Sequence, residues 1–281
     1  MSQSQNQSQS QTHKVMPNLI GGLGNQLFIA SAAYVVGKLH NSPVYLCDES
    51  ENSHNIFKHD YRDTVLKGFG QKISKPLAAM KGPGINEYLH PDFKPWNPQD
   101  LSPPIILYGY YQHITHIEMY EDEIRSIVLD GLADHRSHLV NSCSAIDFTE
   151  TAFIHVRRGD YVQKSDFHFL QPIEYYQKAV TNIQSKAKKP IRTYLVFSDD
   201  PEWIEQNDFF KGLEGAIVVR EPDEIACLAL MSLCEGGAIC ANSTFSWWGA
   251  FLCKQSIPIC VPERWINANI IHLIPDGWTV L

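Results

Sequence analysis

The chain has 281 residues, 44% of them hydrophobic and 19% charged, enough for a sizeable core and for two domains of ordinary size. Its formal net charge is −8, with 23 basic against 31 acidic side chains, which argues against a general nucleic-acid binder with a basic face. No run approaches the ~20 consecutive apolar residues that span a bilayer, so no membrane span is expected.

The first residues, MSQSQNQSQSQTHK, are a Ser/Gln low-complexity tail without the apolar region of a signal peptide. Residues 1–15 are expected to be disordered and the protein cytoplasmic. Asn18–Ile20 reads as a strand, followed by the Gly-rich turn GGLGNQ and an Ala-rich apolar helix through LFIASAAYVVGKLH. That turn is neither a full dinucleotide fingerprint, since Leu27 stands where a third Gly belongs, nor a P-loop. Asn25 and Gln26 add polar groups to it; the bland alternative is a tight turn that lets the helix pack. Pro43–Leu46 is a second strand. From Cys47 to Pro104 seven prolines and no clean period indicate loops and short helices. Ile105–Tyr110 is a strand, 114–132 a helix, and the small polar run 141–150 a linker. The chain then divides into residues 16–145 and 146–281.

After the linker the alternation is regular. Strands at 152–156, 192–197, 216–219, 238–241 and 257–261 alternate with helices at 172–187, 201–210, 223–235 and 244–254, the pattern of a doubly wound parallel sheet. In such sheets ligands sit beyond the carboxyl ends of the strands. Three motifs of the second half fall there. HVRRGDY, residues 155–161, sets two guanidinium groups side by side in an acidic protein, and planar guanidinium suits phosphate oxygens. Asp160 could orient one of them; a purely structural Arg–Asp pair is the alternative. Ser198-Asp199-Asp200-Pro201 starts a helix, with Asp200 the expected N-cap and Asp199 facing the ligand edge. Asn242-Ser243-Thr244-Phe245-Ser246 opens another helix with free N–H groups and hydroxyls, an anion cradle or an ordinary cap.

A metal site is not expected. Asp199 and Asp200 diverge if extended, and His113 and His116 read as a surface pair without a third ligand. The 7 Cys show no CxxC spacing, and five lie in apolar stretches. They read as buried hydrophobes in a reducing compartment, not as bridges or zinc ligands.

Together GGLGNQ, HVRRGDY and ANSTFSWWGAFL resemble the α-1,2-fucosyltransferase family over about residues 18–265. GYYQ (Gly109–Gln112), FSDD (Phe197–Asp200) and LMSLC (Leu230–Cys234) are also similar to that family. The resemblance implies a GT-B-like α/β fold of two Rossmann-like domains with a cleft between them, the acceptor on the first and the donor on the second. It implies an inverting, metal-independent transfer of L-fucose from GDP-fucose, with no cofactor, to a galactose-containing glycan, at the 2-hydroxyl of galactose. Arg158 then holds the β-phosphate and helps GDP leave, braced by Arg157 and Asp160. His155 lies against the nucleotide. Asn242, Ser243, Thr244, Phe245 and Ser246 line the diphosphate and base pocket with Asp199 at its edge. Asn25, with Gly24 and Gln26 beside it, approaches the fucose. One position departs: four residues before Met231 the family carries an acid, and this chain has Cys227, for which Asp223 or Glu224 could stand in. The alternatives left open are another donor such as GDP-mannose and a non-catalytic sugar-nucleotide or glycan-binding protein. A Rossmann oxidoreductase is disfavoured by the incomplete Gly-rich turn.

Overall fold

A computed structural model describes residues 13–48, 59–91, 94–163, 166, 168–266 and 272–281. Residues 1–12 of the N-terminal tail lie outside them. The chain forms two compact units, Met1–Gly131 and Leu132–Leu281.

In the first unit the order is β1 (Val15–Pro17), α1 (Leu23–Leu39), β2 (Tyr45–Asp48), β3 (Gln71–Pro76), β4 (Asn86–Leu89), β5 (Ile105–Tyr108), α2 (Ile114–Met119) and α3 (Glu121–Gly131). Strand β1 lies three residues before the expected Asn18–Ile20, which is not a strand, so Val15 belongs to the fold and not to the tail. Val15 and Met16 are fully buried and pair in parallel register with Ile105 and Ile106. All strand pairs here are parallel, β1 with β5, β5 with β4, and β2 with β3, and a bridge from Val15 to Val44 brings the two pieces together. Strands β3 and β4 were hidden in the Pro-rich stretch. Both are mostly exposed edge strands, and without a buried face they carry no apolar alternation. The helix expected over 114–132 is two helices, broken at Tyr120, whose backbone is not helical.

The second unit starts earlier than the expected boundary. Helix α4 (Ala133–Ser142) precedes the supposed linker, and its polar sequence hides a real docking face. Leu139 packs into the core of the second unit, Arg136 Nη1 donates to the Ser232 hydroxyl, and His135 lies 3.6 Å from Asp223. Then follow β6 (Thr151–Val156), α5 (Gly159–Gln163), α6 (Ile173–Lys186), β7 (Thr193–Ser198), α7 (Pro201–Gln206), α8 (Asp208–Gly212) and β8 (Ala216–Val218). The unit ends with α9 (Glu224–Leu233), β9 (Gly237–Ile239), α10 (Thr244–Leu252), β10 (Ile259–Val261) and β11 (Thr279–Val280). The helix expected over 201–210 is split at Asn207, which caps α8 with its side chain.

Six parallel strands lie in the order β11-β10-β9-β6-β7-β8. Counted from β6, this is the 3-2-1-4-5-6 order of a doubly wound Rossmann sheet. Both faces are covered, which is why the strands read as continuous apolar runs. Period-two alternation sends Ala152, Ile154, Val156, Tyr194 and Val196 to one core and Phe153, Leu195 and Phe197 to the other. Cys234, Cys240, Cys253 and Cys260 are buried in these layers and none of the seven cysteines is in a disulfide, as the sequence implied; Cys227 is half-buried. The strand order reverses between β6 and β9, and the crevice beyond their carboxyl ends is where a ligand belongs. HVRRGDY leaves β6 and ANSTF leaves β9.

Candidate active site

Strand β6 ends at Val156, and the two arginines that follow have different partners. Arg157 is fully engaged. Its Nη2 reaches Asp160 Oδ1 at 2.8 Å, its Nη1 reaches Asp199 Oδ2 at 3.1 Å, and its guanidinium lies 5.4 Å from the Tyr161 ring centroid. Arg158 is held only from behind. Its backbone N–H donates to Asp199 Oδ1 at 2.8 Å, its Nε to Asp200 Oδ2 at 3.3 Å, and its guanidinium carbon stands 3.8 Å from the Trp203 ring centroid. Neither Nη of Arg158 has a hydrogen bond to a described residue. A planar fork held at its base with the tip unpaired suits two oxygens of an anion.

The structure places Asp199 against the two arginines. Both of its oxygens serve the Arg doublet, one on a backbone N–H and one on a guanidinium. Asp200 caps α7 as expected, accepting from Trp203 N at 3.2 Å. Gly159 is required by this packing, because a Cβ there would run into the Asp199 carboxylate. Gly159→Ala is expected to displace Asp199 and lower kcat/KM about tenfold or more, since small misplacements of a catalytic group carry large costs. Unchanged far-UV circular dichroism with impaired turnover is the signature to measure.

The facing loop is equally specific. Ser243 is the N-cap residue of α10, yet its hydroxyl makes no cap hydrogen bond. Thr244 and Phe245 follow it, half-buried, in the first turn. Asn242 is turned away from the crevice. It is 1% exposed, and its Nδ2 donates to Phe169 O at 2.8 Å and to Trp265 O at 2.6 Å. Ser246 is fully buried, and its hydroxyl points at Ser243 O and Ala241 O. Both residues hold the loop in shape. The Trp pair after them is core: Trp247 and Trp248 are fully buried, and Trp247 Nε1 donates to Leu273 O. Tyr161, which the sequence reading gave no role, joins the two loops by donating to Asn242 O at 2.9 Å.

His155 alternates onto the face of Phe153, and its ring centroid lies 5.9 Å from that of Phe245. Burial, with the Arg157 charge added, lowers its pKa to about 3, so the imidazole is neutral. Cys227, where the family carries an acid, holds a neutral thiol. Its thiol donates to Glu221 O at 3.3 Å, and burial raises its pKa to about 12. Asp223 is occupied as the cap of α9, accepting from Ile225 N at 2.8 Å.

In the first unit the Gly-rich turn and GYYQ meet at the ends of β1 and β5. Gly21 has φ +78 and a Cβ there would lie 2.6 Å from Asn25 Nδ2, so only glycine fits the turn. Gln112 Nε2 donates to Asn25 Oδ1 at 3.0 Å. Asn25 is half-buried, whereas Gln26 is buried and donates back to Gly21 O, and Gly24 is buried in the first turn of α1. Tyr111 sits at φ 52, a region non-glycine residues rarely occupy, and stacks on His90 at 4.8 Å. His113 and His116 are buried, correcting the expectation of a surface pair. His113 caps α2 through Nδ1, and His116 packs against Phe28 and Trp96. Of the carboxylates near the irregular stretch, Asp60 and Asp48 pair with Arg62, Asp63 with Lys72 and Glu87 with Lys81. The hydrogen bonds from Arg62 hold Asp60 well below the usual carboxylate range, which makes it a poor base.

A family model described as glycosyl transferase family 11 matches residues 100–272, from the approach to β5 past the end of β10. The chain belongs to glycosyltransferase family 11. The O-antigen biosynthesis glycosyltransferase WbnK of Escherichia coli is 27% identical, covering 92% of this chain and 98% of its own. An α-1,2-colitosyltransferase of Escherichia coli is 24% identical over 94% of this chain and 97% of its own. Among solved structures, the fucosyltransferase NodZ from Bradyrhizobium superposes with a TM-score of 0.54 at 12% identity, covering 86% of this chain and 92% of NodZ. NodZ has also been solved after soaking with GDP-fucose and in co-crystals with GDP. The family 11 chain thus has the GT-B-like α/β fold expected from its motifs. Among its described residues no helix is long and apolar enough to cross a membrane.

Proposed function

We propose that this family 11 glycosyltransferase moves L-fucose from GDP-fucose, with inversion and without a metal, to the 2-hydroxyl of a terminal galactose. The observation that carries the reading is Arg158, anchored at the switch point of the second sheet with neither Nη group hydrogen-bonded to a described residue. As the bond from fucose C1 to the diphosphate breaks, C1 gains oxocarbenium character and negative charge builds on the leaving GDP. Arg158 meets that charge with two donors in one plane, a preorganised stabilisation worth about 3 kcal/mol or more in comparable sites. Arg157, Asp160 and Asp199 fix the turn that presents it. The Ser243 hydroxyl and the first turn of α10, with Thr244 and Phe245, complete the diphosphate cradle. Neutral His155, packed on Phe245, offers an uncharged surface to the nucleotide. Asn25, braced by Gln112, is assigned to the transferred sugar. The acceptor hydroxyl attacks C1 from the face opposite the diphosphate, the bond from C1 to the GDP oxygen breaks, and the hydroxyl proton passes to solvent water.

A second reading, another GDP-linked donor, is favoured by Cys227, which has no negative charge to offer a base, and by the colitosyltransferase relative. GDP release separates the two. GDP-fucose, GDP-mannose, UDP-galactose and a colitosyl donor are offered with lactose or N-acetyllactosamine, in chelator. The expected outcome is acceptor-dependent release from GDP-fucose alone, at a rate that added Mg²⁺ or Mn²⁺ does not change. Preference for another GDP sugar would replace the donor. A rate restored only by metal would overturn metal independence. GDP binding without turnover on any acceptor would indicate a binding protein.

A further inference from the structure

We propose that Trp203 is a positioning residue for Arg158, acting through the guanidinium plane. The inference rests on the GDP-sugar reading of the site. Trp203 stands in the first turn of α7, three residues after Asp200, and its ring centroid is 3.8 Å from Arg158 Cζ. The indole is itself fixed. It packs edge-on against Phe210 at 6.2 Å and joins the core beneath the sheet. Asp200 ties the two residues together. One oxygen accepts from Trp203 N at 3.2 Å and the other from Arg158 Nε at 3.3 Å. The guanidinium is thus held by a surface and an edge that both belong to the start of α7.

The chemistry of that holder is specific. A carboxylate pairing with both Nη groups would occupy the donors that an anion needs. A ring under the plane attracts the cation through its quadrupole and leaves every in-plane N–H available. Arg157 shows the contrast, with both Nη groups committed to carboxylates. Trp203 therefore sets the direction of the Arg158 fork without competing for it. Removing the ring frees the guanidinium to turn about its hydrogen bond to Asp200.

The test compares wild type, Trp203→Phe, Trp203→Leu, Arg158→Ala and the Arg158→Ala/Trp203→Leu double variant. Turnover of the donor is measured together with GDP affinity by calorimetry, which stays readable when turnover is lost. Trp203→Leu is expected to lower kcat/KM about tenfold, chiefly in kcat with the acceptor KM unchanged, the scale of a partly desolvated cation–π contact. Trp203→Phe should recover most of the loss. Trp203→Leu alone should also weaken GDP binding several-fold, and in the Arg158→Ala background it should weaken it no further, because the group it positions is gone. A loss of the same factor in both backgrounds would mean a merely structural role and overturn the inference, as would wild-type kinetics in Trp203→Leu. Trp203→Met, a flexible side chain that adapts to irregular gaps without a ring, serves if the Leu variant does not fold. A wild-type protein that neither binds GDP nor turns over any GDP sugar sinks the donor reading itself, a result distinct from all of these.

Discussion

Arg158→Ala is expected to reduce kcat/KM by about 10²–10³-fold, the cost of losing a preorganised donor aimed at developing charge. The expectation follows from the unequal environments of the two adjacent arginines. Arg158 is anchored through its backbone N–H and Nε, and its far edge has no hydrogen bond to a described residue. Arg157 spends both Nη groups on Asp160 and Asp199. Arg157→Ala should therefore cost less, about tenfold, by loosening the turn and not by removing a contact to the leaving group. Arg158→Lys separates charge from shape. An ammonium keeps the charge but is a point donor without the planar fork, and it cannot lie flat on Trp203 with its donors in plane. It should recover only a small part of the loss. Initial rates of GDP release at saturating acceptor measure all three variants. Near-normal turnover in Arg158→Lys would rule out two-oxygen contact and leave only electrostatic attraction.

The second unit was legible in the sequence because a sheet covered on both faces writes itself as apolar runs, and β6, β7, β9 and β10 all follow that rule. The first unit was harder. Gln71–Pro76 and Asn86–Leu89 are exposed edges, so their pairing is recorded in backbone hydrogen bonds that leave no side-chain pattern. Helix α4 was missed for a related reason. Its contacts are one Leu and the long or polar tips of Arg136 and His135, residues that also populate linkers.

For the site, motif position identified the right loops but could not tell which side chains face outward. Asn242 and Ser246 look like ligand groups in the string ANSTFS, yet the Asn242 amide ties the loop to Phe169 O and Trp265 O in two other segments, and the Ser246 hydroxyl closes the loop on itself. Gln26 does the same for the Gly-rich turn. Asp199 looked like a ligand-edge acid and is a brace for the arginines. Trp203 gave one weak signal, an aromatic in the first turn after a capping Asp, and only the fold brings it under Arg158. Gln112 was visible within GYYQ, but its partner Asn25 lies 87 residues away in sequence.

Acid should destabilise each unit through one buried imidazole. His116 in the first unit and His155 in the second both have pKa values lowered to about 3 from 6.5, in each case chiefly by burial. In the unfolded chain these rings take up a proton near 6.5; in the folded chain they stay neutral until about 3. Between those values the unfolded state binds more protons, so acidification favours it. The full stability is present above about 6.5 and is lost at about 1.4 kcal/mol per pH unit for each imidazole as the pH falls toward 3. Carboxylates such as Asp60, which Arg62 holds below the usual range, add their own loss only below about 4. The window from about 6.5 to 4.5 thus isolates the histidines. Urea denaturation at several pH values across that window, followed by the fluorescence of Trp96 in the first unit and Trp247 in the second, reports each unit separately when the other tryptophans are replaced by Phe. His116→Phe, which keeps a ring against Phe28 and Trp96, should flatten the slope of the first unit alone, and His155→Asn that of the second. A wild-type stability that does not change between pH 7 and 5 would mean that both rings take up protons in the folded chain, and that His155 meets the nucleotide as a cation.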